Sequence, residues 1–266
     1  MNIGVIDTSA TMGRSWLHRV SPRSKLAAFA LVLSAVVVSF NMLVLAAIVL
    51  VLSAAVFSAD LNPKLAFGLA AYPAIFALIF AFASSPDVGT SITIVLKAVA
   101  AALAAVIVAL TTPYPQIFAP LQRVVPSVVG DALLMTYRST FLVLEKFSDL
   151  LRAVRLRSGL PAGHRVRAAG GTARALGGLL LYAIDLSQRD YDIMRVRGYE
   201  GRLRARLPKS ARPSVDAALL VAAAFMLALS VLWRVNWQTL NPYSWLPLVP
   251  ALLLFATAIL FRWRSS

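Results

Sequence analysis

Two short runs hold the residues best suited to specific chemistry: Leu156-Arg157-Ser158-Gly159 and Val196-Arg197-Gly198-Tyr199. Each sets a guanidinium just ahead of a glycine. A guanidinium keeps its proton at any physiological pH, so its chemistry is recognition: a planar fork of donors matched to a carboxylate. Arginine followed by glycine also suits a helix C-terminus, where cations meet the negative end of the dipole and glycine takes the cap. The chain has no cysteine, hence no disulfide, thiolate metal site or thiol redox chemistry. His18 and His164 read as solvated residues of basic segments, not as metal ligands. No G-x-x-x-x-G-K-[ST] run is present, and Gly170-Gly171 and Gly177-Gly178 read as a flexible start to a helix. The expectation is a chain with no catalytic residue, no metal site and no cofactor of its own.

The elements that must position the two arginines are amphipathic helices. Phe147, Leu150, Leu151 and Val154 recur at i, i+3, i+4 and i+7, with Lys146, Asp149, Arg152 and Arg155 on other faces. The pattern predicts a helix from just after Pro126 to Ser158, about 48 Å long at 1.5 Å per residue, stopped by Gly159 with Pro161 and Gly163 behind it. A second helix is predicted from about Thr172 to Tyr199, with Leu179, Tyr182, Leu186, Ile193 and Val196 as its apolar stripe. Residues 113–212 as a whole carry 17 Lys+Arg against 7 Asp+Glu, which is +10 of the chain's net +15. Such a surface suits anionic lipid, nucleic acid or the acidic groove of a protein.

The rest of the chain is a different kind of sequence. Of 266 residues, 59% are apolar and only 14% charged, against about 45–50% and 25% in a globular domain, which excludes a soluble fold and points to a helical membrane protein. From Leu26 to Phe57 the one strongly polar residue is Asn41, a stretch too long for one span and tight for two; a hairpin at Ser39-Phe40-Asn41 divides it. Further apolar blocks cover Leu65 to Ala83, Ile92 to Leu110, Val215 to Trp233 and Trp245 to Trp263, making six spans. Arg14, Arg19, Arg23, Lys25, Lys64, Arg262 and Arg264 then fall on one side, the cytoplasmic side by the positive-inside rule. The domain expectation is a cytoplasmic segment at 1–24, four spans within 25–112, a cytoplasmic helical region at 113–212, and two spans with a short cytoplasmic tail at 213–266. No cleavable signal is read at the N-terminus. Lys97, inside the fourth block, is expected to snorkel toward the outer end.

Several of these residues together resemble the transmembrane T components of energy-coupling factor (ECF) transporters, the EcfT/CbiQ family. Met194-Arg195-Val196-Arg197-Gly198-Tyr199-Glu200-Gly201 is similar to that family's second signature and Leu156-Arg157-Ser158 to its first, with Leu156 and Val196 standing where the family usually has alanine. Ser21-Pro22-Arg23-Ser24-Lys25, Thr111-Thr112-Pro113, Val125-Pro126 and Tyr137-Arg138 with Glu145 are further matching pieces. The Met-Arg-Val-Arg-Gly-Tyr-Glu-Gly form looks more like the cobalt-type CbiQ branch. The resemblance implies an all-α membrane scaffold in a bacterial or archaeal plasma membrane, both termini cytoplasmic, with two coupling helices crossed as an X. Arg157, Ser158, Arg197 and Gly198 would engage two partner ATPases, which bind ATP and Mg; Leu156, Val196 and Tyr199 would support that interface. A separate substrate-binding membrane subunit would capture a metal ion, cobalt or nickel foremost, or a vitamin. Besides the bilayer no other partner is implied, and no nucleic acid. The alternatives are a self-contained secondary transporter, which would need intramembrane polar groups and broken helices, and a membrane-anchored binder of anionic lipid or nucleic acid, which would need clustered charge or stacking aromatics.

Overall fold

The computed structural model describes residues 9–11, 13, 15–84, 87–121, 125–158, 165–199 and 213–265, and every regular element among them is helical. In chain order the helices are α1 (Pro22–Val38), α2 (Met42–Ser58), α3 (Pro63–Ser84), α4 (Val88–Thr111), α5 (Tyr114–Leu121), α6 (Ser127–Ser158), α7 (Arg165–Val196), α8 (Pro213–Val235), α9 (Trp237–Leu240) and α10 (Leu248–Ser265). The chain forms two compact units, one of Met1–Ile117 with Leu207–Ser266 and one of Phe118–Arg206.

Local chemistry sets the helix boundaries of the first unit. Ser21 caps α1 by accepting from the Ser24 N–H at 3.3 Å, and Pro22 occupies the first helical position, where its missing N–H is harmless. The long apolar stretch breaks at Ser39-Phe40-Asn41, where Asn41 caps α2 by accepting from the N–H groups of Leu43 and Val44. Its amide also donates to Ser244 Oγ at 2.6 Å, tying this turn to the segment between α9 and α10. At 17 residues each, α1 and α2 span about 26 Å, a little short of the roughly 30 Å hydrocarbon core. Helices α3, α4 and α8 are long and apolar enough to cross, and the helical segments Trp237–Tyr243 and Leu248–Trp263 pass together as a pair bent by 44°.

Helix α4 is the hub: α1, α2 and α3 all pack on it, while α8 packs on α1 and α10 on α2. The arms of the expected hairpin thus lie more on α4 than on each other. The buried seam is rich in small residues, among them Ala28, Ala35, Ala66, Ala70, Ala100, Ala104 and Ala223, which let helix backbones approach closely where lipid removes any hydrophobic drive. The opposite faces are apolar and bare. On α3 alone Tyr72, Ile75, Phe76, Ile79, Phe80 and Phe82 are exposed, a surface that lipid, not water, can solvate. The chain is an all-α membrane protein.

Trp16 Nε1 donates to Ser58 O at 3.1 Å, Arg262 to Leu61 O at 2.9 Å, and the Ser21 N–H to Asp216 at 3.1 Å. One end of the unit therefore gathers the N-terminal segment, the α2–α3 turn, the start of α8 and the end of α10. The other end holds Phe40, Asn41, Arg234 and Ser244.

Candidate functional site

The second unit is built on α6 and α7, each of 32 residues, or about 48 Å. Helix α6 begins and ends where its stripe predicted. Helix α7 begins at Arg165, well before the expected Thr172, so the two glycine pairs lie inside it and are not a flexible lead-in. Their role is packing. A Cβ at Gly171 would come within 2.8 Å of Val154 Cγ1, and one at Gly178 within 3.8 Å of both Leu150 methyls, whereas Gly170 and Gly177 face open space. Ala175 and Leu186 are buried on the same side of α7, while Phe147, Leu150, Leu151 and Val154 are half-buried on α6.

The pairing is antiparallel. Val154 meets Gly171, Leu150 meets Gly178, the Lys146 ammonium sits 5.5 Å from the Tyr182 ring, and Tyr199 Oη donates to Asp131 Oδ2 at 2.7 Å. Gly171 and Gly178 leave room for the side chains of Val154 and Leu150. Toward the other end a groove of about 620 Å³ opens between the helices, lined by Met135, Ser139, Val143, Leu186, Asp190 and Tyr191 among others.

Antiparallel pairing separates the two signature arginines. Arg197 follows α7 beside the start of α6, and Arg157 stands in the last turn of α6. Ser158 is 27 residues along α6 from Asp131, a distance of about 40 Å. The two tips therefore point to opposite ends of the unit. Apolar side chains advertise both: Leu156 is 88% exposed and Val196 is 89% exposed, each immediately before its arginine. The Arg157 and Ser158 side chains, Gly159, His164, Glu200 and Gly201 lie outside the described residues.

The turn at Arg197 is a full glycine cap. Gly198 has φ +76°, a backbone angle open chiefly to glycine; its N–H donates to Arg195 O at 3.1 Å and the Tyr199 N–H to Met194 O at 3.0 Å. These bonds close the end of α7 and project Arg197, which is exposed, beyond the last turn. Asp131 is the residue that sequence reasoning missed. It is only 5% exposed, and the Tyr199 hydroxyl bonded to it has its pKa raised, first by that hydrogen bond, so the phenol keeps its proton and stays a donor. Its one trace in the sequence is a carboxylate near the start of an apolar helix face.

A second cluster joins two motif pieces inside the membrane unit. Lys25 is not a solvated flank: it is 3% exposed, and its Nζ donates to Thr111 O at 2.8 Å and Thr112 Oγ1 at 3.2 Å. An ammonium thus caps the C-terminus of α4, the favourable end for a cation. Asp216, in the first turn of α8, accepts from the Ser21 N–H and, at 3.2 Å, from Ser24 Oγ. The start of α1 thereby holds both the residues after which the chain leaves this unit and those by which it returns. His18 is likewise not free in solvent. Nδ1 lies 2.7 Å from Ser15 Oγ and Nε2 lies 3.2 and 3.3 Å from the carbonyls of Ser9 and Leu110, and burial first, then the Lys25 charge, lowers its pKa. The Lys97 Nζ donates to Val37 O at 3.2 Å, beside the α1–α2 turn. Among the described residues no cluster of His, Cys, Asp or Glu suits a metal ion.

Comparison with known proteins adds the family. Among curated proteins none matches the chain. A family model, CbiQ, described as "Cobalt transport protein", matches residues 13–208, a range that takes in the Lys25 cluster, four apolar helices and both arginine tips. The chain therefore belongs to the CbiQ family of cobalt transport proteins and is a membrane component of that kind of transporter.

Proposed function

We propose that this protein is the T-component scaffold of an ECF-type importer: it joins two ATPase subunits to a separate substrate-binding membrane subunit and has no catalytic centre. The observation that carries this reading is the pair of tips, each an almost fully exposed apolar residue followed by arginine, at opposite ends of one antiparallel helix pair. One scaffold with two distant, chemically alike tips suits a partner present twice. In each groove the guanidinium of Arg157 or Arg197 would pair with a carboxylate, and Leu156 or Val196 would fill an apolar pocket beside it. Ser158, Gly198 and Tyr199 shape the tips. The bare face of α7, with Leu176, Leu180 and Ile184 exposed at i, i+4 and i+8, suits the substrate-binding partner. Cargo in this reading is a cobalt or nickel ion held by that partner, and ATP and Mg belong to the ATPases.

Residues 113–212 and both termini would face the cytoplasm, as the basic residues require. A cysteine placed at Ser158 is then labelled only from inside and one at Ser85 only from outside. The test of function is copurification. The tagged full chain, expressed with the ATPase and membrane-protein genes encoded beside it, is expected to bring down both partners and to hydrolyse no ATP alone. Solute accumulation by liposomes holding only this chain, or ATPase activity free of any partner, overturns the scaffold reading.

A further inference from the structure

The outer end of the membrane unit carries a feature that ATPase coupling does not use. Between α2, α8 and α10 lies a groove of about 280 Å³ with an almost wholly apolar lining, including Val44, Ile48, Phe225, Trp233, Pro250 and Leu254. Phe225 and Leu254 are exposed, so the groove opens on the lipid-facing surface. Trp233, by contrast, is 8% exposed, and its indole N–H is buried with no acceptor among the described residues.

Two cations stand at the same end. The Phe40 ring has the Lys97 ammonium 3.7 Å from its centroid and the Arg234 guanidinium 4.1 Å from it. Neither cation has a carboxylate partner among the described residues, and the two are close enough to act on each other electrostatically. Arg234 adjoins Trp233 in α8, and Asn41, next to Phe40, bonds Ser244 just before the groove-lining Leu246. An apolar slot and two like charges without a carboxylate partner among the described residues thus share one end of the membrane unit.

We propose that this groove binds an anionic phospholipid of the leaflet on that side. An acyl chain would lie between α2, α8 and α10, and the phosphate would sit against Arg234 and Lys97. Charge complementarity selects this occupant over a zwitterionic lipid or a partner helix, since Lys and Arg near the surface attract anionic lipid. The site is independent of the ATPase-coupling reading and stands or falls without it.

The test uses the full chain in phosphatidylcholine vesicles, with phosphatidylglycerol or phosphatidylcholine brominated on its acyl chains as quencher of tryptophan fluorescence. The part of the signal absent from Trp233→Phe reports this groove. It is expected to be half quenched at about tenfold lower mole fraction of brominated phosphatidylglycerol than of brominated phosphatidylcholine. The double variant Arg234→Gln, Lys97→Met is expected to lose that preference while keeping its response to phosphatidylcholine. Equal quenching by both lipids in the unaltered chain overturns the proposal without reference to any variant. So does a Trp233 signal that neither lipid reaches, or a preference that survives in the double variant.

Discussion

Lys25 and Arg197 are both cations at helix ends, and they face opposite ways. In the membrane unit, the Lys25 ammonium turns inward to the last carbonyls of α4 and a threonine hydroxyl, and Asp216 is occupied by Ser21 and Ser24. In the helical unit, Arg197 projects past a capped end, exposed, with no side-chain bond among the described residues. The same contrast holds for apolar residues. Those of the first unit are buried in an alanine-rich seam or face lipid, whereas Leu156 and Val196 stand bare at tips flanked by charge. Lipid tails offer a buried polar group no partner, and the buried Lys25 ammonium is answered within the chain. A polar group at the tips of the helix pair is free to be answered by another protein.

The largest expected effect breaks this contrast at the tips. Truncating one member of a desolvated charge pair costs about 2–5 kcal/mol, a loss of roughly 30- to 4000-fold in association. Arg157→Ala or Arg197→Ala is therefore expected to impair both uptake and ATPase copurification, and the double variant to abolish them while membrane insertion stays normal. Arg204→Ala and Arg206→Ala, outside the two signatures, serve as controls of equal charge. If the controls lose as much, diffuse electrostatics and not two seated tips hold the ATPases. Lysine at either tip sharpens the test: it keeps the charge and loses the planar fork, so a bidentate contact predicts a large loss and a helix-dipole role almost none.

The inward side of the comparison comes next. Lys25→Ala leaves a buried carbonyl and hydroxyl without a donor, an expected loss of about 3 kcal/mol read as a lower thermal midpoint in detergent. Unlike the tip variants, it should lower stability even with no partner present. A smaller effect is expected between the helices of the pair. Gly171→Leu drives side-chain atoms into Val154 at a cost of about 1–3 kcal/mol, whereas Gly177→Ala, facing open space, should stabilise α7 by about 0.5–1 kcal/mol. Equal behaviour of the two glycines would show that α6 and α7 do not pack as described.

The smallest effect is set by pH. Because the folded-state pKa of His18 lies below its ordinary value near 6.5, the unfolded chain takes up the proton first as pH falls. The stability that neutral His18 contributes is complete above pH 6.5 and is lost as pH drops from there through the lowered folded value. Thermal midpoints of the native chain should therefore fall further than those of His18→Asn between pH 7.5 and pH 5. Parallel curves would place His18 in solvent after all.

What the sequence determined by itself is whatever follows from spacing along one helix. The stop at Ser158, the break at Ser39-Phe40-Asn41, the six apolar blocks and the arginine-glycine tips all rest on local periodicity and capping, which act between neighbours in the chain. The start of α7 escaped this reading because glycines weaken helix propensity locally, and only Val154 and Leu150 across the pair give Gly171 and Gly178 their use. His18 read as a solvated residue and Lys25 as one of the basic residues flanking the first span, because the groups that answer them, Thr111, Thr112 and Leu110, lie more than 80 residues away. Asp131 was invisible until the antiparallel pairing of α6 and α7 brought Tyr199 to it. That the two arginine tips stand at opposite ends of one unit was likewise decided by tertiary structure alone, since each tip is written in its own helix but the distance between them is set by which way the second helix runs against the first.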